Sequence, residues 1–175
     1  MSDVFLVGGS PSAGSRSSSV LRLVGKWLGE AGLQTGLLSV RELPAEALLR
    51  GDANAEGIRM GVAALAKSRA VVVATPIYKA AYSGLLKTWL DLLPQFALTD
   101  KVVLPLATGG SPAHVLAIDY ALRPVLNSLG ARHIVPGYFV VESHAKQHEN
   151  GEVELTPEVD VALRRVVADF VSALR

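Results

Sequence analysis

The sequence contains no cysteine among its 175 residues. Without thiols it can form no disulfide, no iron–sulfur cluster, no cysteine-ligated zinc site and no thiolate nucleophile. The four histidines show no spacing of the HExxH type, which disfavours a metal site. If the protein carries out redox chemistry, a bound organic cofactor therefore has to supply it.

Charge is also scarce, because only 19% of the residues are charged and the net charge is +1. Nucleic-acid binding requires a concentrated basic face, and no basic run exists beyond Arg164-Arg165, so we expect no nucleic-acid partner. No apolar run approaches the roughly 18 residues of a membrane span. The first residues lack the basic start and long apolar core of a signal peptide. We therefore expect a cytoplasmic protein that does not associate with membranes.

Half of the residues are apolar, and they fall into short runs separated by helical patterns. The predicted strands are residues 4–7, 37–40, 70–74, 102–107 and 133–141, of which the last two are each broken once by proline. Runs that are apolar on both faces are typical of a parallel sheet covered by helices on each side. The sequence thus favours an α/β fold.

Helical spacing follows several of these runs. The apolar positions that show it are Val20, Leu21, Val24, Trp27 and Leu28; Leu85, Leu86, Trp89, Leu90 and Leu93; and Val159, Leu163, Val166, Val167, Phe170, Val171 and Leu174. The last helix has a capping residue, Thr156, followed by Pro157 at its first position. We predict one domain over residues 1–175, with a doubly wound, five-stranded parallel sheet and helices on both faces. Residues 142–154 are predicted as a polar surface segment.

In such folds ligands bind beyond the carboxyl ends of the strands, where the strand order reverses. The loop after the first strand, residues 8–19, lacks GxGxxG. Gly9 and Gly14 have the spacing of a phosphate-binding Walker loop, but Ser15-Arg16 stands where the motif continues with Lys-Ser/Thr. What remains is a serine-rich loop with one arginine that opens into a helix, which suits a phosphate dianion. The alternative is a loop that merely caps the helix.

Two further loops follow the third and fourth strands. In residues 75–84, Pro76 stiffens the backbone, and Tyr78 and Tyr82 offer flat faces that could flank a ring system. The alternative is that these tyrosines only pack against the protein. Residues 108–112 begin Thr-Gly-Gly, which allows the backbone to approach a ligand closely, or simply forms a tight turn. Three such loops at successive strand ends indicate a binding site.

Several stretches of this sequence resemble those of a known protein family. The matching stretches are residues 9–11, 15–19, 74–84, 86–88, 101–110 and 117–126. They are similar to the NAD(P)H-dependent FMN reductases, above all the type that serves alkanesulfonate monooxygenase in bacterial sulfur assimilation. The likeness spans roughly residues 4 to 140, and the C-terminal part carries no roles from it.

The resemblance implies a flavodoxin-like fold, FMN, and NADPH or NADH. It implies that the FMN phosphate is held by Ser10, Ser15, Arg16, Ser17 and Ser18; that the isoalloxazine is bordered by Pro76, Ile77, Tyr78 and Lys79; and that its other edge meets Thr108, Gly109 and Gly110. Ser12 stands where the family commonly has arginine, which makes Arg16 the expected substitute. No general acid or base is assigned, because the flavin accepts the hydride from the nicotinamide. Reduced FMN is expected to pass to a separate flavin-dependent monooxygenase.

The resemblance also bears on Tyr120. The predicted core stripe of its helix is Val115, Ile118, Leu122, Val125, Leu126 and Leu129. Tyr120 points away from that stripe, beside an apolar outer face made of Ala113, Leu116, Ala117 and Pro124. The reductases resembled here carry an inserted tyrosine in a π-helix at their tetramer interface, linked to flavin release. We expect a homo-oligomer, dimer or tetramer, with Tyr120 at an interface in a distorted turn. The alternative is a lone surface tyrosine above a proline kink.

Other functions remain open from the sequence. A quinone or azo-compound reductase on this fold would keep FMN bound and reduce another acceptor. A flavodoxin-type electron carrier would normally present an acidic face, which a pI near 8.1 does not favour. A phosphate-binding module without chemistry is a third alternative. The choice between NADPH and NADH also stays open, because no unambiguous contact for the 2′-phosphate is visible.

Overall fold

A computed structural model describes residues 2–174 and contains a twisted parallel sheet five positions wide. Its strands are β1 (Val4–Gly8), β2 (Thr35–Ser39), β3 (Ala70–Tyr78), β5 (Val102–Gly109), and, sharing the last position, β6 (His133–Ile134) and β7 (Tyr138–Val141). The order is β2-β1-β3-β5-β6/β7, and the short β4 (Ala81–Tyr82) folds back antiparallel on β3. This is the strand order of flavodoxin-like folds, with the reversal between β1 and β3.

Helices cover both faces of the sheet. They are α1 (Arg16–Glu30), α2 (Ala45–Arg50), α3 (Glu56–Lys67), α4 (Gly84–Leu90), α5 (Arg123–Ser128) and α6 (Pro157–Ser172). Alternate residues of each strand enter two separate cores, as β1 shows: Leu6 packs with α1 and α6, whereas Val7 packs with α3 and α4. The predicted doubly wound sheet is therefore confirmed. No helix within residues 2–174 is both long and apolar enough to span a bilayer.

The two helices between β2 and β3 were not predicted. In α3 the buried residues are only Ile58, Gly61 and Leu65. A Cβ at position 61 would lie 2.7 Å from the Trp89 ring, so the helix contacts the core through a glycine. A search for large apolar residues at helical spacing misses such a contact, because glycine has no apolar side chain to count.

The predicted stripe between residues 115 and 129 is wrong at its first position, Val115, whereas Ile118 and Leu122 are buried as predicted. Residues Ile118–Leu122 form a π-helical turn, in which the Arg123 N–H donates to the Ile118 carbonyl five residues earlier. The extra residue rotates the preceding turn relative to α5. As a result Val115, expected in the core, is 49% exposed, and Ala117, expected outside, is buried. The distorted turn itself and the exposure of Tyr120, 79%, are as predicted.

The segment between β7 and α6 is more ordered than the predicted surface excursion. It contains a short 3₁₀ turn, Glu142–His144, and a hairpin of β8 (Ala145–Gln147) and β9 (Val153–Leu155). Ala145 is buried against the core, and the Ser19 hydroxyl of α1 donates to the Gly151 carbonyl at 2.7 Å. The hairpin therefore closes over the start of α1.

Candidate functional site

The loops after β1 and β3 are joined directly at the reversal point. The Gly9 N–H donates to the Ala74 carbonyl at 2.8 Å, and the buried Ser83 hydroxyl donates to the Gly9 carbonyl. Ser83 also caps α4 by accepting from the Leu86 N–H at 3.1 Å, and its own N–H donates to the Thr75 hydroxyl at 3.0 Å. Thr75 and Ser83 were not predicted as site residues, although a serine before an apolar helix is a capping signal. They hold two of the three loops in place.

The second and third loops meet through strand pairing. Pro76 lies opposite Thr108 in the β3–β5 register, and both are buried. A Cβ at Gly109 would lie 2.7 Å from the Phe139 ring, so only glycine lets the end of β5 pack this closely on β7. Gly110, the next residue, is exposed. The three loops that the sequence singled out therefore share one edge of the sheet.

The β3–β4 hairpin projects from this edge. Ile77 pairs with Tyr82 and Tyr78 with Ala81, which leaves a two-residue turn of Lys79 and Ala80. Both turn residues have positive φ, 50° and 63°, as a type I′ turn requires. Left-handed backbone costs a non-glycine residue roughly 1–2 kcal/mol, so the strand pairing has to hold the turn. Tyr78 and Lys79 consequently stand exposed at the edge of the site.

The serine loop presents hydroxyls and helix N–H groups. Ser10 is buried and accepts from the Ser12 N–H at 3.2 Å. Ser15 caps α1 by accepting from the Ser18 N–H at 3.1 Å, and its hydroxyl lies 3.1 Å from that of Ser17 and 2.8 Å from that of Ser18. The first turn of a helix leaves N–H groups without intrahelical acceptors and carries the positive end of the helix dipole. Capping and anion binding are thus compatible here.

Arg16 does not extend freely into this loop. Its Nε donates to the Ala145 carbonyl at 3.2 Å, and its Nη1 lies 3.3 Å from the Glu142 carboxylate. The side chains of Arg16 and Glu142 are each about two-fifths exposed, and a guanidinium has five N–H donors, of which these contacts use two. The partners come from the C-terminal segment, which the resemblance did not cover, so the sequence could not reveal them.

Burial and hydrogen bonding explain the pKa shifts of the titratable groups near the site. Burial raises the pKa of the Tyr82 hydroxyl, which lies in the hairpin. Lys87 and Asp91 form an exposed helical pair at 2.6 Å, and this hydrogen bond raises the pKa of Lys87. Within residues 2–174 there is no cluster of three or more His, Asp or Glu residues that could hold a metal ion. The donors that the strand-end loops offer are hydroxyls, N–H groups and one guanidinium.

The packing of Gly9 gives a first test. A Cβ there would lie 2.6 Å from Leu86 Cβ, whereas a Cβ at Gly14 has nothing within 4 Å. We expect Gly9→Ala to lower the free energy of unfolding by about 1–3 kcal/mol, measured by urea denaturation, because the loop must move away from α4. Gly14→Ala in the same loop is the matched control. Equal stability of the two variants would contradict the close packing of Gly9 on α4.

Comparison with known proteins identifies the family of the chain. The family model for NADPH-dependent FMN reductase matches residues 2–146. The chain is 44% identical to an FMN reductase (NADPH) of Pseudomonas putida, over 83% of this chain and 74% of the relative, and 40% identical to one of Escherichia coli, over 98% and 89%. The apo crystal structure of an NADH:FMN oxidoreductase superposes with a TM-score of 0.89 at 41% identity, covering 100% of this chain and 91% of that one. The chain therefore belongs to the NADPH-dependent FMN reductase family and is an NAD(P)H:FMN oxidoreductase.

Proposed function

We propose that FMN is an exchangeable substrate of this enzyme, and that reduced FMN leaves it for a separate flavin-dependent monooxygenase that releases sulfite from an alkanesulfonate. One observation carries the proposal. Arg16 is the single cation of the serine loop, and it shares its charge with Glu142. Neutral hydroxyls and N–H groups bind phosphate less strongly than several guanidinium groups would. Weak retention of FMN follows, as delivery to another protein requires.

The residues of the shared edge fit FMN. We assign its phosphate to the loop hydroxyls and to Arg16, and its ring to the two loops beyond β3 and β5. The proposed contacts are Ser10, Ser15, Arg16, Ser17 and Ser18 for the phosphate, and Pro76, Ile77, Tyr78, Lys79, Thr108, Gly109 and Gly110 for the ring. Bound FMN supplies the hydride chemistry, and the chain contributes position and electrostatics. The exposed Tyr78, Lys79 and Gly110 leave this edge open for the nicotinamide.

Added flavin should control turnover. We expect the purified protein to oxidise NADPH or NADH, followed by loss of nicotinamide absorbance, at a rate that rises from near zero with the concentration of added FMN. The enzyme should lose FMN during gel filtration. Turnover unchanged by added FMN, with flavin retained on the column, would contradict exchange and favour a quinone or azo-compound reductase.

A coupled assay tests the proposed recipient. The reductase, NAD(P)H and FMN are mixed with a flavin-dependent alkanesulfonate monooxygenase, and sulfite is measured. Sulfite release that depends on the reductase is the expected result. Efficient FMN reduction without sulfite release would leave the FMN reductase activity intact and contradict the sulfonate assignment.

A further inference from the structure

A cavity lies beside the serine loop, on the side of β1 away from the proposed ring site. It has a volume of about 130 Å³ and lies at the carboxyl ends of β1 and β2. Its polar lining comes from Ser18 and Arg22 of α1 and from Ser39, Arg41 and Glu42 after β2. Gly8, Ala13 and Ser18 also line it, so the cavity adjoins the loop that we assign to the FMN phosphate. It lies on the β2 side of β1, whereas β3 and β5 lie on the other side.

The charges of the cavity suit an anion. Arg22 is held in place, since its Nη2 donates to the Ser19 hydroxyl at 3.0 Å and to the Gly151 carbonyl at 3.1 Å. Arg41 reaches the cavity from the 3₁₀ turn after β2, and its Nη2 lies 3.5 Å from the Glu42 carboxylate. Two guanidinium groups against one carboxylate leave a positive charge beside two hydroxyls. Forked guanidinium donors match the oxygens of a phosphate monoester.

The position of the cavity points to a nucleotide. In doubly wound folds that bind dinucleotides, an acidic residue beyond the second strand holds the ribose 2′-hydroxyl, or an arginine there holds the 2′-phosphate. By analogy, this chain places Arg41 and Glu42 side by side at that point. Neighbouring strands lie about 4.8 Å apart, so the end of β2 is only about 10 Å from that of β3. One dinucleotide can therefore span both places.

We propose that this cavity binds a phosphate monoester, the 2′-phosphate of NADPH, with Arg41 and Arg22 as its ligands. The assignment rests on the FMN reductase activity. It adds that these two arginines make the enzyme select between NADPH and NADH. The 5′-phosphate of FMN has the same chemistry, so the experiment has to separate these two sources.

Binding of nucleotide fragments tests the site without turnover. Adenosine 2′,5′-bisphosphate and adenosine 5′-monophosphate differ only in the 2′-phosphate, and both are titrated calorimetrically into flavin-free protein. We expect the bisphosphate to bind about ten- to hundredfold more tightly, and Arg41→Gln to abolish the difference. The control is Arg50→Gln on α2, an exposed arginine that pairs with Glu46 outside the cavity and whose loss should leave the difference intact.

Kinetics provides the second readout. For Arg41→Gln the ratio of kcat/KM for NADPH to that for NADH should fall about ten- to hundredfold. Glu42→Gln should raise the ratio, because it removes the carboxylate that competes for Arg41. An unchanged ratio in both variants, or fragments that bind equally to the wild type, would overturn the proposal.

Flavin binding decides between the two phosphate sources. Arg41→Gln could instead weaken the binding of FMN but not of riboflavin, and leave the NADPH-to-NADH ratio of kcat/KM unchanged. In that case the cavity binds the flavin phosphate and the proposal is overturned. If the wild type reduces FMN with neither nucleotide, the reductase activity itself fails, and the fragment titration still decides the cavity.

Discussion

Deletion of Tyr120 is expected to yield a protein that retains FMN through gel filtration and loses most of its FMN-dependent NAD(P)H oxidation. The expectation rests on the resemblance to the sulfonate-type reductases, in which a tyrosine in a π turn is linked to flavin release, and the structure shows such a turn here. The π turn exists because one residue more than a regular helix needs lies between Leu116 and Arg123, where the Tyr120 N–H still donates to the Leu116 carbonyl at 2.9 Å. Removing one residue restores the regular pattern and rotates the preceding turn by about 100°. If that turn governs flavin release, the flavin stays bound.

Tyr120→Ala is the matched variant, because it removes the ring and keeps the number of residues. It should retain the π turn and instead disturb the oligomeric assembly or the rate of FMN-dependent NAD(P)H oxidation. Circular dichroism of both variants checks that they fold. A deletion variant that folds, releases FMN and turns over like the wild type would contradict the role of the turn.

The same turn carries the proposed subunit contact. Val115, Leu116 and Tyr120 are 49%, 55% and 79% exposed, and they form an apolar face that a monomer would leave in water. We propose that this face packs in a homo-oligomer, a tetramer by resemblance to the sulfonate-type reductases. Light scattering should show an oligomer for the wild type and a smaller species for Tyr120→Ala. A wild-type monomer would contradict this contact.

Arg16→Ala should raise the Kd for FMN about ten- to hundredfold and barely change that for riboflavin, which lacks the phosphate. A charge-assisted hydrogen bond contributes about 1.5–3 kcal/mol. The comparison separates this contact from a purely structural effect, since Arg16 also holds Ala145 and Glu142 of the C-terminal segment. Fluorescence titration of both flavins measures it.

Glu142→Gln is the companion to this variant. It removes the negative charge that Arg16 now neutralises, so it should tighten FMN binding and leave riboflavin unchanged. If Arg16→Ala lowers the affinity for FMN and for riboflavin equally, Arg16 lies away from the phosphate and only stabilises the C-terminal segment.

Much of the fold follows from local pattern. The five apolar runs each contain or overlap a parallel strand, including the interruption near Pro136 that divides β6 from β7. The polar loops could be placed at one edge because the carboxyl ends of parallel strands share an edge. Within a helix, however, local periodicity assumes one register. The π turn before α5 breaks it, which is why Val115 and Ala117 exchanged their expected places.

By itself, the sequence determined the layers of the fold, the order of the strand-end loops and the types of donor that they carry, because these depend on neighbouring residues. The tertiary structure alone decided which distant residues meet those donors. Arg16 donates a hydrogen bond to the carbonyl of Ala145, 129 positions away, and Ser83 donates one to the carbonyl of Gly9, 74 positions away. Gly61 contacts the core only because the Trp89 ring of another helix packs where a side chain at position 61 would begin. Such contacts depend on how helices and strands pack, which no local spacing of residues encodes.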